Sequence, residues 1–201
     1  MIGRLIAFEG GEGSGKSTQA ARLARRLDAV LTRQPGGTSI GEQIRAILLD
    51  VGVRGLDPKA EALLMAADRA QHVRELIRPA LARGQDVVSD RYSHSSLAYQ
   101  GFGRGLEVGE LRQLSDWASE GLWPDVVVLL DVPASVAADR LHRDLDRFEQ
   151  AGPDFHDRVT AGFRALAAEE PERWLVVDGA GGIDEVEARV ASAFDEWAAR
   201  R

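Results

Sequence analysis

The 201-residue sequence predicts an α/β fold with a five-stranded parallel sheet and helices on both faces of that sheet. Two observations carry this prediction. Short apolar runs alternate with helical patterns along the chain, which is typical of parallel strands joined by helical crossovers. Residues 126–130 read V-V-V-L-L and are apolar without alternation, as expected for a strand that helices cover on both faces.

Each predicted strand is a short apolar run, and the five runs cover residues 5–9, 29–32, 86–90, 126–131 and 174–178. The predicted helices cover residues 18–27, 40–49, 59–83, 107–120, 135–143, 154–170 and 184–200. Pro79 should kink the longest of these helices, because proline has no N–H and its ring crowds the preceding turn. Gly84 stands at the expected C-terminal cap position of that helix. We expect a single domain over residues 1–201, with a short arginine-bearing lid around residues 140–153.

A glycine-rich loop joins the first predicted strand to the first predicted helix. Residues 10–17 read G-G-E-G-S-G-K-S, a complete G-x-x-x-x-G-K-[ST] phosphate-binding loop. Its glycines let successive backbone N–H groups converge on phosphate oxygens, and the helix N-terminus adds a partial positive charge. Lys16 brings a full charge, and Ser17 offers a hydroxyl to Mg²⁺. The loop therefore predicts a three-layer P-loop NTPase fold that binds a nucleoside triphosphate with Mg²⁺.

A second polar group, Asp90-Arg91-Tyr92, follows the third predicted strand. In an open parallel sheet, ligands bind outside the carboxyl ends of the strands, and the glycine loop lies at that same edge. Asp90 can hold Mg²⁺ or its waters, and Arg91 can span a donor and an acceptor phosphate. The alternative interpretation is a surface ion pair at a strand end.

Composition narrows the class of protein. A net charge of −7 argues against a nucleic-acid or membrane-surface protein, which usually presents a basic face. No apolar run approaches the roughly 18 residues that span a bilayer, and the chain opens directly into a strand without a signal-peptide pattern. The sequence has no cysteine, which excludes disulfides and thiolate metal sites. These features favour a cytoplasmic enzyme.

Beyond the loop, several segments follow one another in a specific order. They read F-E-G-G-E-G-S-G-K-S-T, T-R-Q-P-G-G-T, A-D-R-A-Q-H, D-R-Y followed by S-S-L-A-Y-Q-G, and D-R-F-E, and they span residues 1 to about 160. In these segments the chain resembles the bacterial thymidylate kinases. The resemblance implies transfer of the γ-phosphoryl group of ATP to dTMP in dTTP synthesis, giving dTDP and ADP. It also implies Mg²⁺ as cofactor and a homodimer.

The resemblance further implies a role for each matching position. Lys16 and the amides of residues 13–18 would hold the ATP phosphates, and Glu12 would contact the region of the nucleoside 3′-hydroxyl. Three arginines would surround the dTMP phosphate, namely Arg45, Arg69 and Arg91. Ser96 and Gln100 would read the polar edge of thymine, while Tyr99 would pack against the sugar and disfavour a 2′-hydroxyl. Arg143 and Arg147 would belong to the mobile lid over ATP.

These implied roles define four sets of residues. The catalytic set is Lys16, Arg91, Arg143 and Arg147. The ATP-binding set is Gly10, Gly11, Glu12, Gly13, Ser14, Gly15, Lys16, Ser17 and Thr18. The dTMP-binding set is Glu12, Gln34, Arg45, Met65, Arg69, Arg91, Ser96, Tyr99 and Gln100. The metal-binding set is Ser17 and Asp90.

Two positions depart from the family pattern. The family usually has Glu at the position of Gln34 and an aromatic residue at the position of Met65, where the ring stacks on thymine. A thioether can also pack on a flat base, but less rigidly.

Other functions would leave different marks in the sequence. A kinase for another nucleoside monophosphate or a deoxynucleoside remains open. A GTP-dependent switch would need an Asn-Lys-x-Asp motif, and the chain contains no Asn. The four histidines show no metal-ligand or triad spacing, and we expect them on solvated or helix faces: His72, His94, His142 and His156.

Overall fold

One parallel sheet with the strand order β2-β3-β1-β4-β5 forms the centre of the computed structural model, which describes residues 2–140 and 146–200. Its strands are β1 (Leu5–Glu9), β2 (Val30–Arg33), β3 (Val87–Asp90), β4 (Val126–Asp131) and β5 (Trp174–Asp178). All five predicted strands are confirmed, with β2 shifted one residue toward the C-terminus. As a result Arg33 lies opposite Asp90, and polar side chains from neighbouring strands meet at one edge of the sheet.

The strands are joined by helices, most of them long. The α-helices within the described residues are α1 (Lys16–Leu27), α2 (Ser39–Leu49), α3 (Pro58–His72), α4 (Arg78–Ala82), α5 (Ser93–Ser96), α6 (Val108–Ser119), α7 (Ala134–Asp139), α8 (Pro153–Glu169) and α9 (Ile183–Ala199). Two π-helical segments cover Val73–Ile77 and Leu97–Gly103, and a 3₁₀ turn covers Glu149–Ala151. None of the described helices is long and apolar enough to cross a membrane.

Both faces of the sheet are buried, as the unalternating apolar strands predict. In β1, Leu5 and Ala7 belong to one hydrophobic cluster, and Ile6 and Phe8 belong to another. Successive side chains of a strand point to opposite faces, so the two clusters lie on opposite sides of the sheet. Helices α1 and α9 cover the second cluster, while α3, α6 and α8 contribute to the first. The predicted layers of helix, sheet and helix are therefore confirmed.

The predicted helix over residues 59–83 is interrupted near Pro79, as expected. The π-helical segment Val73–Ile77 separates α3 from α4, and Pro79 lies in the first turn of α4. A proline ring clashes with the carbonyl four residues earlier, and the wider turn relieves this crowding. Gly84 follows α4 with a φ of 78°, which confirms its predicted capping position.

Two expectations about helices need correction. Helix α7 ends at Asp139 with Arg140 at its cap position, so the predicted helix over residues 135–143 is confirmed only as far as Asp139, and residues 141–143 lie outside the described residues. The Arg140 side chain donates hydrogen bonds to the carbonyls of Gly179 and Gly181. Residues 93–103 form α5 and a π-helical segment, although no helix was predicted there. The predicted lid residue Arg143 lies outside the described residues.

Candidate active site

The glycine loop forms a cradle between β1 and α1. Gly10, Gly13 and Gly15 have φ values of 141°, 70° and 91°, a region that favours glycine. A Cβ on Gly13 would lie only 2.3 Å from the carbonyl oxygen of Ala137. The Lys16 ammonium folds back over the loop and donates to the Gly11 carbonyl at 2.6 Å. Burial, with help from Arg91, lowers the pKa of Lys16 to about 8, so Lys16 still carries its charge at neutral pH.

Ser17 and Asp90 offer oxygen atoms beside this cradle. The Ser17 hydroxyl donates to Oδ2 of Asp90 at 2.5 Å, which brings α1 and β3 together at the sheet edge. The other carboxylate oxygen, Oδ1, is buried and has no hydrogen-bond partner within residues 2–140 and 146–200. A hydroxyl and a carboxylate with a free oxygen suit Mg²⁺, which commonly binds through one or two protein oxygens plus phosphates and water. The residues present therefore fit the predicted cation.

Arg91 lies between the glycine loop and the residues predicted to bind the acceptor. Its backbone has a φ of 67°, and its guanidinium donates to the Gly10 carbonyl at 3.1 Å and to the Tyr99 hydroxyl at 2.9 Å. It also pairs with the carboxylate of Glu12. Burial lowers the pKa of Arg91, but Glu12 and other acidic neighbours raise it by more, so Arg91 stays charged. Burial likewise raises the pKa of Glu12, but Arg91 and Lys16 together lower it to about 2.

Glu9, a residue with no predicted role, supports the segment that carries Arg91. Its carboxylate accepts the backbone N–H groups of Tyr92 at 3.0 Å and Ser95 at 3.1 Å, and the Ser95 hydroxyl at 2.5 Å. Burial raises the pKa of Glu9 to about 7. Ser95 in turn accepts a hydrogen bond from Arg91 at 3.1 Å. One signal was available in the sequence: Glu9 is the only charged residue in an otherwise apolar strand.

A cleft of about 170 Å³ opens beside the cradle. It is lined by every residue predicted to bind dTMP: Glu12, Gln34, Arg45, Met65, Arg69, Arg91, Ser96, Tyr99 and Gln100. Lys16, Ser17 and Asp90 line the same cleft. The predicted donor and acceptor sites are therefore contiguous.

Two cations in this cleft, Arg45 and Arg69, form no ion pair with any described carboxylate. Arg69 is only 2% exposed; it donates to the Ser96 hydroxyl at 2.8 Å and to the Gln34 amide oxygen at 3.2 Å. Arg45 donates to the carbonyl of Pro35 at 2.8 Å. Burial lowers the pKa of both guanidinium groups. A buried charge without a counter-ion costs free energy, which an anionic or strongly accepting ligand would offset.

Gln34 connects Arg69 to a buried histidine. Because the Gln34 amide oxygen accepts from Arg69, its NH₂ group faces Nδ1 of His72 at 3.0 Å. His72 therefore donates through Nε2 to the Thr32 hydroxyl at 2.7 Å. Burial lowers the pKa of His72 to about 4, which keeps the ring neutral. Gln34 thus has a structural partner on each side of its amide.

His72 and His94 lie in helices, as one of the two expected placements had it, but neither side chain is solvated. His94 is 1% exposed and packs against the rings of Trp123 and Trp174, with centroid distances of 5.3 and 4.9 Å. Burial lowers the pKa of His94 to about 3. Both histidine side chains are buried, and each imidazole serves as a neutral ring.

Arg147 does not contact the glycine loop in this structure. Its guanidinium pairs with the buried carboxylate of Glu61 at 2.7 Å and donates to the carbonyl of Leu48 at 2.7 Å. These contacts differ from the place over ATP that the sequence analysis predicted for Arg147. Arg140 lies closer to the loop, donating to the Ser14 carbonyl at 3.5 Å. Arg140 was predicted to belong to the lid but not to the site.

The parallel sheet, the glycine loop and the adjoining arginine-lined cleft are those of a P-loop kinase with an anionic acceptor. A family model described as thymidylate kinase matches residues 8–190. A thymidylate kinase of Bifidobacterium longum (strain DJO10A) is 48% identical over 98% of this chain and 100% of its own length. One from Leifsonia xyli subsp. xyli is 50% identical over 96% of this chain and 95% of its own. The crystal structure of thymidylate kinase from Ehrlichia chaffeensis superposes with a TM-score of 0.81 at 31% identity, covering 96% of this chain and 100% of that one.

The chain belongs to the thymidylate kinase family, whose enzymes phosphorylate dTMP with ATP.

Proposed function

We propose that this protein transfers the γ-phosphoryl group of ATP to dTMP, giving ADP and dTDP for dTTP synthesis. One observation carries the assignment of the acceptor site: Arg45 lacks a carboxylate partner among the described residues, yet it lines, together with Arg91, a cleft contiguous with Lys16. A phosphate-binding loop alone needs only one anion pocket. A second cationic pocket beside it supports an acceptor that carries its own phosphate.

The reaction needs little acid–base chemistry from the protein. The acceptor phosphate oxygen is already anionic, so no base has to activate it, and catalysis rests on positioning and charge stabilisation. Lys16 and the loop amides would hold the donor phosphates. Arg91, fixed by Glu12 and Tyr99, would bridge donor and acceptor as negative charge shifts between them. Mg²⁺, held through Ser17 and Asp90, would neutralise charge on the ATP phosphates.

The acceptor would lie with its phosphate toward Arg91 and its base toward Ser96 and Gln100. Arg69 donates to Ser96, which supports a place for Arg69 at the base end instead of at the phosphate. There its guanidinium can donate to a carbonyl of thymine. The positive charge of Arg91 contributes to lowering the pKa of Arg45, which means that the two guanidinium groups lie near each other. This proximity supports a role for Arg45 at the phosphate end. Met65, on the cleft wall, would pack on the base.

We also propose that residues 1–201 act as one P-loop kinase domain, with the segment around residues 140–153 as its lid. Arg147 would reach ATP only after that segment moves, because Arg147 is bound to Glu61 here. Arg143 would act from the same lid. A homodimer is proposed from two exposed side chains on packed helices, Leu63 on α3 and Trp117 on α6, which are 58% and 79% exposed. We place the enzyme in the cytoplasm, where ATP and dTMP are available.

A coupled ADP-release assay with dTMP, dUMP, dCMP, dAMP, dGMP and thymidine tests this proposal. We expect the highest kcat/KM with dTMP and none with thymidine, which lacks the acceptor phosphate. Arg69→Ala should raise KM for dTMP more than KM for ATP. Arg26→Ala, which removes an exposed cation on α1, serves as the control. Background ADP release with dTMP, together with turnover of another acceptor, would contradict the assignment.

A further inference from the structure

Glu61 is a fully buried carboxylate for which the proposed reaction has no direct use. It lies in the first turn of α3, is 0% exposed and does not line the cleft. Its neighbours are Gln100, Arg104 and Arg147, which come from distant parts of the chain. Burying a carboxylate costs free energy, so a buried carboxylate at this position needs an explanation.

The contact between Glu61 and Gln100 determines which way the Gln100 amide faces. Oε1 of Glu61 lies 2.8 Å from the Gln100 amide nitrogen. An ionised carboxylate can only accept hydrogen bonds, so the NH₂ group of Gln100, and not its oxygen, must face Glu61. Arg147 at 2.7 Å and Arg104 at 3.3 Å donate to the same carboxylate and hold it in place.

The Gln100 amide oxygen is consequently turned away from Glu61. It is buried and has no hydrogen-bond partner among the described residues, while Gln100 itself lines the acceptor cleft. An acceptor atom in this position is unsatisfied until a ligand supplies a donor. The cleft thus presents a fixed acceptor to whatever base enters it.

We propose that Glu61 is a positioning residue for substrate specificity: it locks the Gln100 amide oxygen toward the base and thereby selects pyrimidines with a protonated ring nitrogen. This inference rests on the proposed function. Thymine and uracil carry an N3–H donor, whereas N3 of cytosine is an acceptor. A flipped Gln100 amide would accommodate cytosine. The flip would turn the amide oxygen toward the Glu61 carboxylate, placing two acceptors together and losing one hydrogen bond.

Glu61→Gln is the decisive variant. The oxygen of the introduced amide should face Arg104 and Arg147, which are donors only, so the introduced NH₂ group faces Gln100. The Gln100 amide then has to turn its oxygen toward that NH₂ group and its own NH₂ group into the cleft. The assay compares kcat/KM for dUMP and dCMP, which both lack the 5-methyl group and differ in the base edge. We expect the ratio of dUMP to dCMP to fall by about tenfold or more, partly through improved use of dCMP.

Arg104→Gln is the matched control. It removes one cationic neighbour of Glu61 but keeps the carboxylate and its bond to Gln100, so the ratio should stay at the wild-type value. An equal fall of the ratio in Arg104→Gln would overturn the proposal, because selection would then depend on the charge network and not on the amide orientation. An unchanged ratio in folded Glu61→Gln would overturn it as well.

Glu61→Asp covers the case in which Glu61→Gln does not fold, as judged by circular dichroism. It keeps the charge for both arginines and shortens the reach toward the Gln100 amide, so the ratio should again fall; a wild-type ratio would refute the inference.

The role of Glu61 and the proposed function fail in different ways. A wild-type enzyme that phosphorylates neither dTMP nor dUMP contradicts the proposed function, whereas an active enzyme with unaltered variant ratios contradicts only the role of Glu61.

Discussion

The Tyr99 hydroxyl lies between two charged groups of the site, which makes Tyr99→Phe an informative substitution. The hydroxyl donates to Glu12 at 2.8 Å and accepts from Arg91 at 2.9 Å. The Tyr99 ring packs edge-on against Phe148, with 5.8 Å between the ring centroids. Tyr99→Phe removes both hydrogen bonds and leaves the ring. Tyr99→Ala would also empty an aromatic site in the core at a cost of about 3–5 kcal/mol, so it is the less clean test.

The structure sets the expected size of the effect. A hydrogen bond to a charged group contributes about 1.5–3 kcal/mol, and two such bonds are lost. Glu12 and Arg91 still pair directly, so neither charge is left without a partner. We therefore expect a loss of about 2 kcal/mol in the free energy of unfolding. Arg91 loses one of the groups that hold its guanidinium, and kcat should fall about tenfold, equivalent to about 1.4 kcal/mol.

The assay measures kcat and KM for dTMP and for its ribonucleotide counterpart, together with urea unfolding. If the ring excludes the 2′-hydroxyl, the preference for the deoxynucleotide should survive in Tyr99→Phe. Tyr92→Phe is the control, because the Tyr92 hydroxyl donates to the Leu122 carbonyl at 3.0 Å and not to Arg91. That variant should lose stability but not kcat. A wild-type kcat in Tyr99→Phe would refute the idea that the hydroxyl positions Arg91. A lost preference for the deoxynucleotide would show that the ring alone does not exclude the 2′-hydroxyl.

Three further predictions concern other parts of the molecule. Lys16→Ala should lower kcat by about 10²- to 10³-fold with an unchanged circular dichroism spectrum, since it removes a charge from the transferring phosphate; near wild-type turnover would contradict the loop assignment. Met65→Phe should tighten dTMP binding in calorimetry toward the low end of about 1–3 kcal/mol, because an aromatic ring stacks on a base; unchanged affinity would mean that Met65 does not face the base. His94 has a folded-state pKa of about 3, below its ordinary 6.5, so the unfolded chain takes up the proton first and stability is lost as the pH falls below about 6.5. His94→Phe should reduce that loss by up to about 1.4 kcal/mol per pH unit in urea unfolding between about pH 6 and pH 4, and an unchanged slope would refute the role of His94.

The fold could be predicted closely because its signals are local. The unalternating apolar strands and the helix starts are visible in short windows, and Pro79 indicates the interruption before α4. The phosphate loop was equally accessible, since its residues are contiguous. The helix over Ser93–Ser96 was missed because S-H-S-S has weak helical propensity. The segment is stabilised by a hydrogen bond to Glu9, which lies in β1 and is distant in sequence.

The parts of the site that escaped prediction depend on long-range contacts. Glu61 and Gln100 are 39 residues apart, and no pattern in the sequence links them. Arg147 looked like a lid residue from its motif alone, but its partner Glu61 could be seen only in three dimensions. His94 was expected on a solvated or helix face because the histidines show no metal-ligand or triad spacing, and the burial of its ring between two tryptophans follows from packing alone.

The π-helical segment Leu97–Gly103 limits which sequence changes the cleft can tolerate. A π-turn holds one more residue than an α-turn, so a segment of this kind is equivalent to a one-residue insertion into a regular helix. Tyr99 and Gln100 are adjacent in sequence, yet both line the cleft. Deleting one residue here would restore the regular spacing of about 100° per residue and remove the wide turn that carries Tyr99 and Gln100. The proposed recognition of sugar and base uses two side chains of that turn, so this segment can change its side chains but not its length.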